Sequence, residues 1–119
     1  MAAYVGVRLY TLNPGADPEA FERVFATARP ARGLAKIILL KGYHGGGPRA
    51  AQTRYDYASL HFYTSLEASE ATSDALHQAL RSGDVPDDLR GLIGFWRVAH
   101  THELAVSVAN GFTQVCETP

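Results

Sequence analysis

The segment YDYASLHFYT, at positions 55–64, places a histidine among hydroxyl-bearing side chains at strand spacing. His61 lies two positions from Ser59 and Tyr63, and Tyr57 lies two positions before Ser59, so a β-strand turns all four to one face. An imidazole that titrates near neutrality transfers protons at cellular pH. We predict that His61 is a general acid or base and that Tyr57, Ser59 and Tyr63 contact the substrate. A histidine that only forms hydrogen bonds within an interface is the alternative.

The segment YVGVRLYTL, at positions 4–12, offers a cation with the same alternation. Arg8 shares a strand face with Tyr4 and Tyr10. A guanidinium in a cavity stabilises an enolate or phenolate oxygen. We therefore predict that Arg8 is a catalytic electrostatic clamp and that Tyr4 and Tyr10 contact the substrate.

The run KGYHGGGPRA, at positions 41–50, resembles part of an active site. An esterase also needs a nucleophile elbow, G-x-S-x-G, which the sequence lacks. A phosphate loop leads into a helix, whereas this run leads through PRAAQTR into a predicted strand. The glycines are therefore predicted to form a long β-hairpin loop that acts as a lid, with His44 or Arg49 reaching into the cavity.

The H-x-H pair of His100 and His102, with Glu103 beside it, suggests a metal site. His61 would be a third ligand. The pattern lacks a clear third and fourth ligand. We therefore predict that the protein binds no metal.

The order of the elements follows from hydrophobic periodicity and is βαββαβ. One helix begins at DPEAFERVF with Asp17 as its cap, and a second follows a Thr64–Glu67 capping box. This order predicts a ferredoxin-like α+β fold, with two helices on one face of an antiparallel sheet. The strands are predicted in YVGVRLYTL, LAKIILLKGY, YDYASLHFYT and LIGFWRVAHTHELAVSV. We expect one domain over residues 1–110 and a C-terminal tail over 111–119.

The two helices must bury their apolar stripes against the sheet. We expect them to cover its aliphatic face, formed by Val5, Val7, Leu9, Ala58, Leu60 and Phe62. The opposite face would then hold the tyrosines, Arg8 and His61, with Trp96 or Phe95 from the last strand, and Trp96 as a further substrate contact. Aromatic bodies in this number are not left in water, so a second subunit, a ligand or both should cover them. A polar dimer interface without a ligand is the alternative.

The chain resembles the dimeric α/β-barrel superfamily, which includes stress-responsive barrel proteins, EthD-like proteins and antibiotic-biosynthesis monooxygenases. The resemblance rests on the element order, on DPEAFERVF and on YDYASLHFYTSLEA, and it covers most of the chain. It implies a homodimer that acts without a cofactor, as an oxygenase, isomerase or cyclase, on a small aromatic or polyketide-like molecule. Asn13, Trp96 and His77 do not reproduce the set of the haem-degrading members, because Trp96 lies on the wrong strand.

The same element order occurs in the RNA-recognition motif, and the sequence resembles it in part. LYTLN offers Tyr10 as a stacking residue, and Tyr57 falls on the third-strand signature. Tyr55, Asp56 and Ser59 depart from that signature, and the aspartate would repel phosphate. A single-stranded nucleic-acid binder is therefore the second hypothesis, and a non-catalytic, stress-related interaction domain is the third.

The composition of the 119 residues agrees with a small globular domain. Hydrophobic residues make up 46% and charged residues 19%, and the net charge of −1 disfavours nucleic-acid binding. Cys116 is the only cysteine, which fits a reducing cytoplasm. No apolar run reaches the ~20 residues of a membrane span, and no export signal is visible. We expect a soluble, cytoplasmic protein.

Overall fold

The ferredoxin-like α+β architecture is present in the computed structural model, which describes residues 3–47, 52–101 and 103–119. Over these residues the chain forms four strands, three α-helices and a short 3-10 helix at Asp87–Leu89. The elements are β1 (Tyr4–Leu12), α1 (Pro18–Thr27), β2 (Leu34–Lys41), β3 (Tyr57–Tyr63), α2 (Leu66–Ser82), α3 (Arg90–Thr101) and β4 (Ala105–Thr113). Within them, no helix has the length and apolarity needed to cross a membrane.

The sheet has the strand order β2-β3-β1-β4, and every neighbouring pair is antiparallel. The strands β1 and β2 are parallel with β3 between them, and α1 connects them. The strands β3 and β4 are parallel with β1 between them, and the chain crosses through α2 and α3. This is the split βαβ arrangement of the ferredoxin-like fold, which confirms the predicted fold class.

Local sequence signals set the helix ends. The Asp17 side chain accepts a hydrogen bond of 3.0 Å from the Glu19 backbone N–H, and Pro18 is the first residue of α1, as predicted. Gly83 ends α2 in the left-handed conformation, with φ of 80°. The cap of α2 is Ser65 rather than the predicted Thr64, because the Ser65 hydroxyl accepts the Ala68 N–H at 3.0 Å.

The predicted fourth strand is wrong in its first half. Residues 90–101 form α3, so Trp96 lies on a helix and not on the last strand. Leu89, Leu92, Phe95 and Trp96 are buried at helical spacing against the rest of the core. The strand β4 begins only at Ala105 and runs through Thr113, past the boundary at residue 110 that the sequence suggested.

The prediction of which sheet face meets the helices is also wrong. The ring-bearing face lies beneath the helices, where Tyr10, Tyr57, Ser59, His61 and Tyr63 are buried. The cause is the aromatic content of the helices, because their stripes present rings to rings rather than to aliphatic side chains. Ring centroids lie 5.1 Å apart for Tyr10 and Phe21, 4.7 Å for Phe21 and Tyr57, and 4.9 Å for His61 and Phe95.

The opposite, aliphatic face of the sheet has no helix over it. Strand pairing places on it Val5, Val7, Leu9, Ile38, Leu40, Ala58, Leu60, Phe62, Val106, Val108 and Phe112. Val108 is 49% exposed and Phe112 is 58% exposed. An apolar patch of this extent marks an interaction surface in a folded protein. We call it the open sheet face.

Two glycines predict opposite effects of the same substitution. A Cβ at Gly33 would collide with the Cβ of Ala68 on α2, whereas a Cβ at Gly94 on α3 would meet no atom within 4 Å. We expect Gly33→Ala to lower the free energy of unfolding by about 1–3 kcal/mol through overpacking. Gly94→Ala should raise it by about 0.5–1 kcal/mol, because alanine favours the helix. Urea unfolding measures both, and equal effects would contradict the close approach of Gly33, just before β2, to α2.

Candidate functional site

The candidate site is a cavity of about 140 Å³ between the ring-bearing sheet face and the helices. Three strands form its floor, and α2 and α3 form its roof. The lining side chains that can bind or react are Arg8 and Tyr4 from β1, His61 and Tyr63 from β3, Ser69 and Ser73 from α2, and Phe95 and Trp96 from α3. Asn110 of β4 also borders the cavity, but its pairing with Val7 turns its side chain to the open sheet face.

The cavity carries positive charge. Arg8 lines it, and no carboxylate appears among the described lining residues. The Arg8 Nη1 donates a hydrogen bond of 3.1 Å to the Ser107 hydroxyl on the neighbouring strand, which holds the side chain across the sheet. A guanidinium on the wall of a partly desolvated cavity favours a ligand with an anionic or ionisable oxygen.

His61 is held by a chain of buried hydrogen bonds. Its Nε2 lies 2.6 Å from the Ser59 hydroxyl, which lies 3.1 Å from the Tyr10 hydroxyl. The Nδ1 of His61 is buried and has no hydrogen-bond partner among the described residues. Burial, and then the positive charge of Arg8, lower the pKa of His61 to about 3. The imidazole is therefore neutral at cellular pH and is unavailable as an imidazolium acid.

The structure brings five of the nine predicted site residues to the cavity wall: Tyr4, Arg8, His61, Tyr63 and Trp96. Tyr63 is deeply placed, and burial raises the pKa of its hydroxyl, against a smaller opposing effect of Arg8. Trp96 arrives from α3 and also contacts the ring of His77 at 5.6 Å. The roles that the sequence suggested for these residues stay predictions.

The other four predicted residues do not line the cavity. Tyr10 and Ser59 lie behind His61 and support its ring. The Tyr57 hydroxyl donates to the Glu22 carboxylate on α1 at 2.5 Å, away from the cavity. His44 is exposed, and no described residue of the glycine loop contributes to the wall, so the predicted lid has no support from these residues. Arg49 lies outside the described residues.

Among the other lining side chains, Ser69 and Ser73 were not predicted from the sequence, and Phe95 was predicted for the ring-bearing face but not as a site residue. Ser69 and Ser73 are separated by one helical turn of α2, next to the buried Thr72 and Leu76. The i, i+4 spacing of two hydroxyls beside an apolar stripe was the available signal. Phe95 was assigned to a strand, so the contact of its ring with His61 from a helix was not predicted.

The structure also bears on two alternative sites, a metal site and a nucleic-acid surface. In the described part of the chain no cluster of three or more His, Cys, Asp or Glu side chains could hold a metal ion. The side chain of His100 and the whole of His102 lie outside that part. The stacking platforms of the nucleic-acid hypothesis, Tyr10 and Tyr57, are 0% and 3% exposed beneath α1, so no base can reach their rings.

A buried neutral histidine predicts a stability loss in acid. The pKa of His61 is about 3 in the folded protein and about 6.5 when unfolded, so the unfolded state binds the proton first. The contribution of neutral His61 to the free energy of unfolding is therefore fully present above pH 6.5, and it is lost as the pH falls toward 3. Between pH 7 and pH 5 the wild type should lose about 2 kcal/mol more than His61→Gln in urea unfolding. As a control, His77→Gln at an exposed position should lose as much free energy of unfolding between these pH values as the wild type. If His61→Gln loses as much as well, His61 is not a neutral, buried histidine.

Comparison with known proteins supports the fold. No protein-family profile and no curated protein matches the sequence. Among solved structures, the chain is similar to SnoaB, a cofactor-independent oxygenase from Streptomyces nogalater, with 20% identity, a TM-score of 0.56, and coverage of 100% of this chain and 99% of that one. A point mutant of SnoaB gives 21% identity, a TM-score of 0.56 and coverage of 98% and 97%.

A second similar structure is a dimeric ferredoxin-like protein of unknown function from Thermobifida fusca. It shares 17% identity with a TM-score of 0.55, and the match covers 95% of this chain and 92% of that one. Identities at this level show a shared fold. The chain therefore has the ferredoxin-like architecture that the dimeric α/β-barrel superfamily uses, which confirms the predicted resemblance at the level of fold.

Proposed function

We propose that the protein binds a small aromatic molecule with an ionisable oxygen and acts on it without a cofactor, as an oxygenase, isomerase or cyclase. The observation that carries this proposal is the cavity itself, which combines Arg8 and a neutral His61 with walls formed by Tyr63, Phe95 and Trp96. Apolar walls with a few convergent polar groups are typical of small-molecule sites.

The size of the cavity limits the ligand. Its volume of about 140 Å³ is close to that of a cavity of ~150 Å³ that holds benzene. Pockets for larger ligands measure about 300–1,000 Å³. A single aromatic ring therefore fits the cavity as it stands, and a polyketide-like compound with several rings requires α2 or α3 to move away from the sheet.

The three candidate reactions share a first requirement, which is a stabilised enolate or phenolate. Arg8 meets this requirement because its charge favours the ionised oxygen. In the oxygenase case, O₂ converts a methylene next to the ionised ring into a carbonyl, with one oxygen atom entering the product and the other leaving as water. The similarity to SnoaB, described as a cofactor-independent oxygenase, favours this case over the other two.

We also propose that the protein is a homodimer paired through the open sheet face. This face carries apolar side chains from all four strands, and the helices leave it uncovered. Lys36 reaches across it over the Phe62 ring, 4.7 Å from the centroid. The Thermobifida fusca protein with this fold is described as dimeric, which supports the same assembly here.

Non-catalytic binding in the same cavity is the alternative function. The buried position and low pKa of His61 favour this alternative, because the site then lacks an imidazolium that could act as an acid. Incubation of aromatic compounds with the protein under O₂, followed by mass spectrometry of the products, separates the two. Binding without any product would favour the non-catalytic alternative.

The charge of Arg8 predicts selective binding of phenolates. 4-Nitrophenol is a suitable probe, because its ionised form absorbs at longer wavelength and reports its own protonation state. Wild-type protein should favour the phenolate, and Arg8→Gln should bind it about tenfold more weakly or worse, since a charged hydrogen bond is lost. Trp96, the only tryptophan, lines the cavity and reports occupancy by fluorescence quenching.

The matched control for charge is Arg54→Gln, because Arg54 lies on an exposed loop and stacks on Tyr55 outside the cavity. It should bind the phenolate as the wild type does. Equal affinity of the wild type and Arg8→Gln, or quenching of Trp96 without preference for the phenolate, would contradict the proposed ligand class.

The proposed dimer predicts a sharp contrast between two exposed apolar positions. Val108→Glu places a charge on the β4 part of the open sheet face and should weaken dimerisation more than about tenfold, because the carboxylate would be buried without a partner. Leu80→Glu, on the exposed side of α2, should leave it unchanged. Sedimentation equilibrium over a range of concentrations measures both, and a monomeric wild type would refute the dimer.

A further inference from the structure

Three buried polar side chains form a single line behind the cavity wall. Tyr10 and Ser59 are 0% exposed and His61 is 3% exposed. Tyr10 Oη lies 3.1 Å from Ser59 Oγ, which lies 2.6 Å from His61 Nε2. The line ends at His61 Nδ1, the ring nitrogen that has no partner among the described residues. Because Nε2 is bonded to Ser59, Nδ1 is the ring nitrogen without a described partner, in a residue that lines the cavity.

The number of protons in this line is fixed across cellular pH. Burial raises the pKa of Tyr10 to about 12, so its hydroxyl stays protonated. The imidazole is neutral and carries one N–H. Tyr10, Ser59 and His61 therefore contribute one proton each, and two of the three must lie in the two observed hydrogen bonds.

Only one arrangement of the three protons leaves no hydroxyl proton unpaired. If Tyr10 donates to Ser59 and Ser59 donates to Nε2, both hydroxyl protons are used and the remaining proton lies on Nδ1. If Nε2 instead donates to Ser59, either the Ser59 or the Tyr10 proton loses its acceptor, in a region closed to water. Each arrangement leaves one proton without an acceptor, at a cost in desolvation. The first leaves it on the His61 ring, which lines the cavity, and the second leaves it on Ser59 or Tyr10, which are 0% exposed and do not line the cavity. Only in the first arrangement can a ligand oxygen in the cavity accept that proton, so the first arrangement is favoured.

We propose that the line from Tyr10 through Ser59 fixes His61 as the Nδ1–H tautomer, so that the imidazole acts as a neutral hydrogen-bond donor to a ligand oxyanion held by Arg8. This inference rests on the proposed function for its ligand, and it replaces the general acid/base role that the sequence suggested for His61. A neutral imidazole donor stabilises developing negative charge without giving up its proton. Ser59 and Tyr10 are positioning residues, since they act on the ligand through His61.

The tautomer is measured directly by two-dimensional ¹H–¹⁵N spectra of the histidine rings in the whole protein, with His61 assigned through His61→Gln. We expect an Nδ1 shift typical of a protonated nitrogen and an Nε2 shift typical of an unprotonated one, unchanged between pH 5 and pH 8. The reverse pair of shifts, or a titration of the ring in this range, would overturn the inference. This measurement needs no ligand.

Removal of the Ser59 hydroxyl tests the positioning role. Ser59→Ala should shift the His61 ring toward the Nε2–H tautomer, because Nε2 loses the donor that kept it unprotonated. The matched control is Thr72→Val, which removes a buried hydroxyl on α2 that has no hydrogen-bond partner in the described structure. It should leave the His61 shifts as in the wild type. An unchanged tautomer in folded Ser59→Ala would overturn the role of Ser59.

The donor role is tested with 4-nitrophenolate. Its binding to the wild type should move the His61 Nδ1–H resonance downfield, and Ser59→Ala should bind it about three- to tenfold more weakly, as expected for one hydrogen bond. Binding that leaves the Nδ1–H resonance in place would overturn the donor role. If 4-nitrophenolate does not bind at all, the proposed function fails, while the tautomer spectrum still decides the inference about the line of hydrogen bonds.

Discussion

The burial of the ring-bearing sheet face beneath the helices is the constraint on which the rest of the structure depends. Phe21 and Phe25 of α1 and Phe95 of α3 form a continuous set of tilted and edge-to-face contacts with the rings of the sheet. Each hydroxyl buried with its ring needs a partner. Tyr10 finds one in Ser59, and Tyr57 finds one at the carboxylate of Glu22.

The same burial sets the electrostatics of the cavity. Removal of water from around His61, with Arg8 close by, holds the ring neutral, while the guanidinium keeps its charge. The two side chains come from adjacent strands but differ in charge, because Arg8 is a cation and His61 is an uncharged polar ring. A wall of this type stabilises an anion more effectively than it moves a proton.

The two faces of the sheet differ in what lies against them. The sequence suggested a single chamber that would hold the ligand between two subunits. The structure instead places the cavity within one chain, between sheet and helices, and leaves the aliphatic face uncovered. All described residues of the cavity wall come from one chain, and the open sheet face lies on the other side of the sheet.

Much of the fold was predictable because its signals are local. The alternation of β1 and β3, the Asp17 cap with Pro18, and Gly83 at the end of α2 each follow from a few neighbouring residues. The helix α3 was missed because LIGFWRVAH is almost continuously apolar, and such a run does not distinguish a buried strand from a buried helix.

The sequence by itself determined the order of most elements and that Tyr63 and His61 would share one side of the sheet, because the side chains of a strand alternate with a period of two. The register of the sheet, in which Arg8 pairs with Ser59, places Arg8 on the same side. Only the tertiary structure decided which side lies beneath the helices. Alternation defines two faces but does not say which of them the helices cover. That choice depends on aromatic rings from distant parts of the chain, those of Phe21, Phe25, Phe95 and Trp96.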